Sequence, residues 1–426
     1  MQGYSPDKQT KAEHEETLVA FLDGKRLVFE HKTGRRDGTY RWRRFIYLND
    51  ERLVADFVNK NAFGSQRPTA QTERSRLARN IPHLILLEAS ANISTLESLG
   101  VRTYQNKNHD VVSFKPADSK SPIVLYLDTE THLLSKFEYP MDFPVIGDTT
   151  VEYTYSQYRR HPKLGWFPAS HAIKIGGEDY RTVNYTNVAA DSNEASAMLE
   201  LPDELKGYVT PPGTVIEIAK GVYIAHGLGG FYPMFVEFKD FVVAIEAPAR
   251  HPFVEIVPAD NQTGSSLICE DFIKKIKETV KNKPIKYLVA THYHTDHAGG
   301  ARAFIAEGAT ILTTTGNKQF FEKLANAKLT ILPDRLSKEP QPLKIETFDD
   351  KRIITDGERT VEFINVGPNP HTQENIIARF PKENYVYQGD LFYFNDESSF
   401  PQKDRATVMA FFAQWLKKNN ISPARI

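Results

Sequence analysis

The sequence predicts an α+β protein built in two parts. Three observations carry this: the length, a change in apolar patterning near the middle, and a turn-rich stretch between the two patterns. At 426 residues the chain exceeds what one ordinary core accommodates, so two domains are expected. From about Asp110 to Asp191 short β-rich runs alternate with turn clusters, whereas in the second half strand candidates alternate with helix candidates. Leu205 to Thr214, with Gly207 and the run Pro211-Pro212-Gly213, has the composition of a boundary. The expected domains are residues 1–207, β-rich, and residues 215–426.

In the first part Gln71–Arg79 and Ile81–Ala91 read as helices, the second with apolar positions Ile81, Leu84 and Leu87 at helical spacing. Strands are expected at Asp110-Val-Val-Ser-Phe, Pro122-Ile-Val-Leu-Tyr-Leu, Leu133-Leu-Ser-Lys-Phe-Glu-Tyr and Val151-Glu-Tyr-Thr-Tyr-Ser-Gln-Tyr. With turns at 128–132, 161–166 and 176–179, they predict an antiparallel meander buried on one face. In the second part Phe241–Glu246, Ile285–Thr291 and Thr310–Thr314 read as strands. Ser265–Lys283, Ala301–Glu307 and Lys318–Ala325 read as helices, the pattern of sheets flanked by helices.

Acidic and basic residues nearly cancel, leaving a formal charge of -1. No basic cluster dense enough to follow a phosphate backbone is present, so a nucleic-acid partner is not expected. The most basic stretch, residues 274–286, reads as the solvated face of a helix. The single cysteine, Cys269, excludes an intramolecular disulfide framework and a cysteine-rich metal site. Among Leu267, Ile268, Phe272 and Ile273 it reads as a small buried hydrophobe. No apolar run is long enough to span a bilayer, and the first residues contain no signal-peptide core. Either the protein is cytoplasmic or Met1 replaces a removed leader.

The chemistry concentrates where the buried-strand pattern Ile285–Thr291 runs into His292-Tyr-His-Thr-Asp-His-Ala-Gly-Gly. In an extended segment residues two apart point the same way, so His292 and His294 can converge on one ion. Asp296 and His297 follow where the chain turns into a helix and aim at a neighbouring position. Imidazole and carboxylate suit zinc. Gly299 and Gly300 are read as allowing a tight turn beside the metal. Two later positions also stand at strand ends: His371 in Asn365-Val-Gly-Pro-Asn-Pro-His-Thr-Gln-Glu-Asn, and Asp390 in Tyr385-Val-Tyr-Gln-Gly-Asp-Leu-Phe.

This order resembles the metallo-β-lactamase superfamily, whose signature is His-x-His-x-Asp-His after a strand, over roughly residues 215–426. The resemblance implies an αββα sandwich for this part. It implies His292, His294 and His371 as ligands of a first ion, and Asp296, His297 and a bridging Asp390 as ligands of a second. Asp296 would also be catalytic, orienting the nucleophile and accepting its proton. The family's early supporting aspartate is matched by Glu246. The family's last ligand lies in a terminal His-Gly; here the helix Thr407–Asn419 leads to Ile421-Ser-Pro-Ala-Arg-Ile426 and no histidine follows His371. The sequence therefore reads as cut before that motif. One Zn²⁺ is expected to bind firmly and a second weakly, with His226 a candidate to support the site. Phe231 and Tyr232, after Gly227-Leu-Gly-Gly, read either as an apolar lid or as an ordinary hairpin.

The function these readings imply is a zinc-dependent hydrolase using a metal-bound hydroxide on a small ester, thioester, lactone or lactam. The alternatives are an apolar-ligand or lipid-binding envelope protein with a residual metal site, and a redox diiron protein. The first part faintly resembles the lipoprotein-carrier-like curved sheets of some secreted bacterial hydrolases, through Pro122–Asp128, Leu133–Tyr139 and Gly165-Trp-Phe-Pro. That resemblance implies a periplasmic or secreted location over a cytoplasmic one.

Overall fold

Extended segments rich in β-branched and aromatic residues dominate the described residues up to about 185, and they assemble into two large sheets and the two-stranded pair Arg159–His161 and Gly165–Phe167. The computed structural model describes residues 14–21, 25–34, 40–48, 51–58, 60–66, 77–116, 119, 121–203, 205, 207–209, 214–228, 231–249, 266–393 and 406–426. Most of the expected helix Gln71–Arg79 and the Pro211–Gly213 run lie outside them.

The first sheet holds His14–Ala20, Arg26–Gly34, Tyr40–Leu48, Glu51–Asp56 and Asn61–Gln66 as an antiparallel succession. Gly207–Val209 adds to its edge, parallel to the last of these. None of these strands is among those expected from the sequence, where charged residues stand among the apolar ones. Those charges pair across strands: Arg43 Nε donates to Asp56 Oδ2 at 2.8 Å and Arg44 Nε to Glu30 Oε2 at 2.7 Å. Pairing is what makes the burial of Asp56 and Glu30 tolerable.

The second sheet contains the expected meander. Its spatial order is Glu178–Asn184, Ser170–Ile175, Gly147–Ser156, Leu134–Phe143, Ile123–Asp128, Lys107–Phe114, Glu97–Tyr104, antiparallel throughout. One face packs as a core around Phe114, Leu125, Phe137, Val151 and Tyr155. The helix Pro82–Ala91 lies on that core through Pro82, Ile85 and Ala89, while Leu87 is 52% exposed. The buried stripe is thus offset by one or two positions from the expected Ile81, Leu84, Leu87 set. Pro82 at the first helical turn fixes where the helix starts, a position where its missing N–H costs nothing.

Within this sheet His171 is buried, and its Nδ1 lies 2.8 Å from the Tyr185 hydroxyl. Because that hydroxyl already donates to the Asn80 carbonyl, Nδ1–H must donate to it, and Nε2 is left buried with no hydrogen-bond partner among the described residues. Burial, with Arg181 adding to it, pushes the imidazole down to about 3 from an ordinary 6.5. The folded pKa is depressed, so only the unfolded chain takes up this proton as pH falls below about 6.5. Stability from this group is therefore complete above 6.5 and is lost progressively toward pH 3. At pH 5 the loss should be about 2 kcal/mol. Urea midpoints at pH 7.5 and pH 5 should fall further for the wild type than for His171→Gln; equal falls would overturn the assignment.

The second part builds two facing sheets. In the first of them Thr214–Ala219, Val222–His226, Met234–Glu237 and Val242–Ile245 run antiparallel. Ile285–Val289, Thr310–Thr314 and Lys344–Phe348 then continue it in parallel. The other is an antiparallel set of Lys351–Thr355, Thr360–Asn365, Ile376–Phe380 and Tyr385–Tyr387. Their inner faces meet in a core of Val236, Val243, Val289, Phe363, Ile376 and Phe380. The helices Leu267–Thr279, Ala301–Ala306 and Lys318–Asn326 cover the outer face of one sheet. Ala406–Lys418 covers the other. The layering is αββα, as the resemblance implies. Cys269 is buried and Lys274 and Lys277 face outward, both as expected.

Candidate metal centre

The strand Ile285–Val289 is buried on both sides, so its last residues are delivered to the rim of the sandwich in a fixed direction. His292 leaves it in a bend, and His294, with extended backbone, caps the short helix Thr295–Ala298. The carbonyl of His294 accepts from the N–H groups of His297 and Ala298 at 2.9 and 2.8 Å. Asp296 and His297 thereby stand in a first helical turn. The glycines after it are needed for space and not for turning. Their φ values are ordinary, -65° and -90°. A Cβ on Gly299 would meet Ala249 Cβ at 2.9 Å, and one on Gly300 would meet Cys269 Sγ at 2.4 Å.

His371 comes from the loop after Thr360–Asn365. There the Asn369 side-chain oxygen accepts from the N–H groups of His371 and Thr372 at 2.8 and 2.9 Å, a local turn that sets the histidine's direction. Asp390 follows Tyr385–Tyr387 in the left-handed region, φ 61°. The preceding Gly389 carbonyl is held by the buried Asn375 Nδ2 at 3.1 Å.

These elements bring all six candidate ligands together in two groups, His292 with His294, His371 and Asp390, and Asp296 with His297 and Asp390; within each group the donor atoms lie within 4.8 Å of one another. His292 Nε2 is 3.0 Å from His294 Nδ1 and 3.1 Å from His371 Nε2. Asp390 Oδ2 is 3.1 Å from His371 Nε2, and its Oδ1 is 3.4 Å from His297 Nε2. His226 belongs to neither group; its ring meets Tyr232 edge-on at 4.9 Å. Tyr232 is 43% exposed and its carbonyl accepts from Tyr387 Oη at 2.9 Å.

The network behind the cluster decides which ring nitrogens carry protons. Glu246 Oε1 accepts from Thr291 Oγ1 at 2.7 Å and from His297 Nδ1 at 3.0 Å, and Glu246 Oε2 accepts from Thr291 N at 3.2 Å. With its own proton given to Glu246, Thr291 Oγ1 accepts from His292 Nδ1, 3.0 Å away. Nε2 of His292 and Nε2 of His297 are thereby turned toward the cluster. Glu246, φ 74° and buried, is the acceptor at the centre of this network. Thr291 and Gly389 were not expected at all. Gly389 packs so closely that a Cβ would meet Thr291 Oγ1 at 2.2 Å, Glu246 Oε1 at 2.8 Å and His297 Nδ1 at 3.0 Å.

Electrostatics separate the two histidines: His292 favours its neutral form, whereas His297 favours the charged form and would release a proton on binding a metal. Burial and then the neighbouring imidazoles of His297, His294 and His371 hold His292 well below the ordinary histidine value, so it is neutral. Burial opposes charge on His297, but the carboxylates of Glu246, Asp390 and Asp296 outweigh it and raise its pKa. Burial likewise opposes ionisation of Asp390, and the imidazoles of His297 and His371 outweigh it, holding the carboxyl well below the usual range. Ring nitrogens of three imidazoles and a carboxylate thus converge on one point. A proton could bridge only one such pair, whereas a cation serves them all. The donor set fits a metal.

Residues 266–417 match the metallo-beta-lactamase superfamily model. This stretch is a metallo-beta-lactamase superfamily domain. Metallo-beta-lactamase IND-1 from Chryseobacterium indologenes is 28% identical over 152 residues, 34% of this chain and 54% of that protein. The chain thus spans about half the length of that curated relative. Among solved structures, a metallo-beta-lactamase from Pontibacter korlensis matches at TM-score 0.31 and 18% identity, covering 48% of this chain and 86% of that one. DIM-1 metallo-beta-lactamase matches at TM-score 0.35 and 14% identity, covering 51% and 89%. The family match includes four of the candidate ligands within His292–His297, and also His371 and Asp390. The first two sheets lie outside it.

Proposed function

We propose that the protein is a zinc-dependent hydrolase acting on a small ester, thioester, lactone or lactam. The observation that carries this is the pair of donor groups sharing Asp390, made of imidazole and carboxylate only, a set suited to Zn²⁺. His292, His294 and His371 would hold one ion, Asp296 and His297 a second, with Asp390 common to both. Bound there, zinc would supply the Lewis acidity that lowers the pKa of water and polarises the bond to be cut. The chain's own part is to orient and to exchange protons. Glu246 and Thr291 hold His292 and His297 by Nδ1, so that Nε2 of each would face the ion. Asp296 is the most open of the three carboxylates here, its side chain 38% exposed against 19% for Asp390 and 6% for Glu246. It is the one able to take a proton from an incoming nucleophile and pass it to solvent.

The test is zinc titration by calorimetry on the full chain, then assay with nitrocefin, aryl esters, thioesters and lactones. Expected are one tight ion at the four-donor group and a weaker one at Asp296 and His297, which supply fewer nitrogen donors. Chelation should abolish turnover. Two equally tight sites would overturn the difference between the groups. Inertness of the zinc-loaded protein across the panel would overturn the hydrolase reading.

A further inference from the structure

The strands Leu134–Phe143 and Gly147–Ser156 of the second sheet are joined by a tip that leaves their own core. Val145, 6% exposed, belongs to the same apolar cluster as Leu228, Tyr293 and Phe320 of the second part, whereas Phe143 on the flanking strand belongs to the second sheet's core. The tip is gripped from the other side by the segment after the helix Lys318–Asn326. Asp148 N donates to the Lys328 carbonyl at 2.7 Å. The Asp148 carboxylate accepts from Thr330 N at 2.8 and 2.9 Å, from Thr330 Oγ1 at 2.5 Å and from Ile331 N at 3.2 Å. Gly147, φ 84°, lies so close that a Cβ would be 2.4 Å from the Lys328 carbonyl oxygen. An apolar plug, a glycine with no clearance and a carboxylate capping two backbone N–H groups make a built joint, specified at three successive kinds of contact.

Both partners of the joint lead to the metal centre. Tyr293 stands between His292 and His294. Its ring meets His294 edge-on at 4.8 Å and Phe320 edge-on at 6.1 Å. The receiving segment is fixed by the buried Arg302, whose Nη1 donates to the carbonyls of Leu324, Ala325 and Ala327 at 2.9, 2.9 and 3.0 Å. Arg302 sits in the helix Ala301–Ala306, which follows directly on the Gly299-Gly300 pair after His297.

We propose that the Val145–Asp148 tip is a positioning element of the metal centre, so that the second sheet is a working part of the hydrolase. Val145 backs the cluster that seats Tyr293, and Tyr293 fixes the ring of His294. Asp148 holds the joint closed. The inference rests on the metal-centre reading above. Its test separates the two, using Co²⁺ as the probe on the full chain, with the visible absorption spectrum and a competing-chelator titration as readouts. Val145→Ala and Asp148→Ala should shift the cobalt bands and weaken cobalt binding by roughly 10-fold, the lower range for residues acting behind a ligand. Asp148→Asn keeps an acceptor oxygen and should recover part of the affinity. Leu125→Ala, in the second sheet's own core, should lower the denaturation midpoint and leave the spectrum unchanged. Wild-type bands and affinity in both joint variants would overturn the inference, as would an equal shift in Leu125→Ala. Failure of the wild type to take up cobalt would instead remove the metal reading on which it stands.

Discussion

Gly389→Ala should strip the protein of tight metal binding although it alters no ligand. The added Cβ would stand 2.2 Å from Thr291 Oγ1, 2.8 Å from Glu246 Oε1 and 3.0 Å from His297 Nδ1, and all three atoms belong to one hydrogen-bonded knot. None is the free end of a flexible chain: Thr291 and Glu246 are buried and His297 is held in a helical turn. Relief must come from moving Gly389 outward, which carries Asp390 with it, or from parting Glu246 from its donors. The first displaces Asp390, common to both donor groups; the second frees His297 of one group and, through Thr291, His292 of the other. Overpacking of this kind costs about 1–3 kcal/mol in stability. Loss of the partners that orient ligands costs roughly 10–100-fold in metal affinity. Zinc content after dialysis and the urea midpoint measure the two effects separately. Thr291→Ala removes the nearest clash and one tie of the knot, so Gly389→Ala/Thr291→Ala should be no worse than the poorer single variant. A zinc affinity unchanged in Gly389→Ala would show that the knot does not support the site.

How legible the molecule was depends on which physics each part obeys. His292, His294, Asp296 and His297 stand out because so many ligand side chains in six positions serve no packing purpose. His371 and Asp390 are weak signals singly and become readable from their order at strand ends. The meander of the second sheet is readable because one face is apolar, as the alternating burial of Gly147–Ser156 shows. The first sheet was not, because Arg43, Arg44, Glu30 and Asp56 satisfy one another across strands that a linear reading cannot pair. Gly389, Thr291 and Asp148 escaped for a related reason. A glycine chosen for clearance has an ordinary sequence neighbourhood, and Asp148 meets Thr330 across 182 positions. The Gly299-Gly300 pair was noticed for the wrong cause. Turning was expected, and close approach of Ala249 and Cys269 is what requires it.

His294→Ala should have the larger effect on metal and the smaller effect on the fold. Its Nδ1 is one of the atoms facing His292 Nε2, 3.0 Å away, and no other described side chain outside the two groups is placed to replace it. Removing a ligand should exceed the roughly 10–100-fold loss that follows from disturbing a ligand's support, so the first ion should no longer survive dialysis. The fold should persist because His294 serves the helix Thr295–Ala298 through its carbonyl, and its side chain makes no capping bond. Alanine leaves that carbonyl in place, and the residue is only partly buried. His132→Ala supplies the contrast: it lies in an exposed turn with φ 58°, and its replacement should leave zinc stoichiometry at the wild-type value. Zinc analysis together with far-ultraviolet circular dichroism distinguishes the cases. Full zinc content in His294→Ala, with the dichroism unchanged, would remove His294 from the first site and with it the assignment of His292 and His371 as its partners.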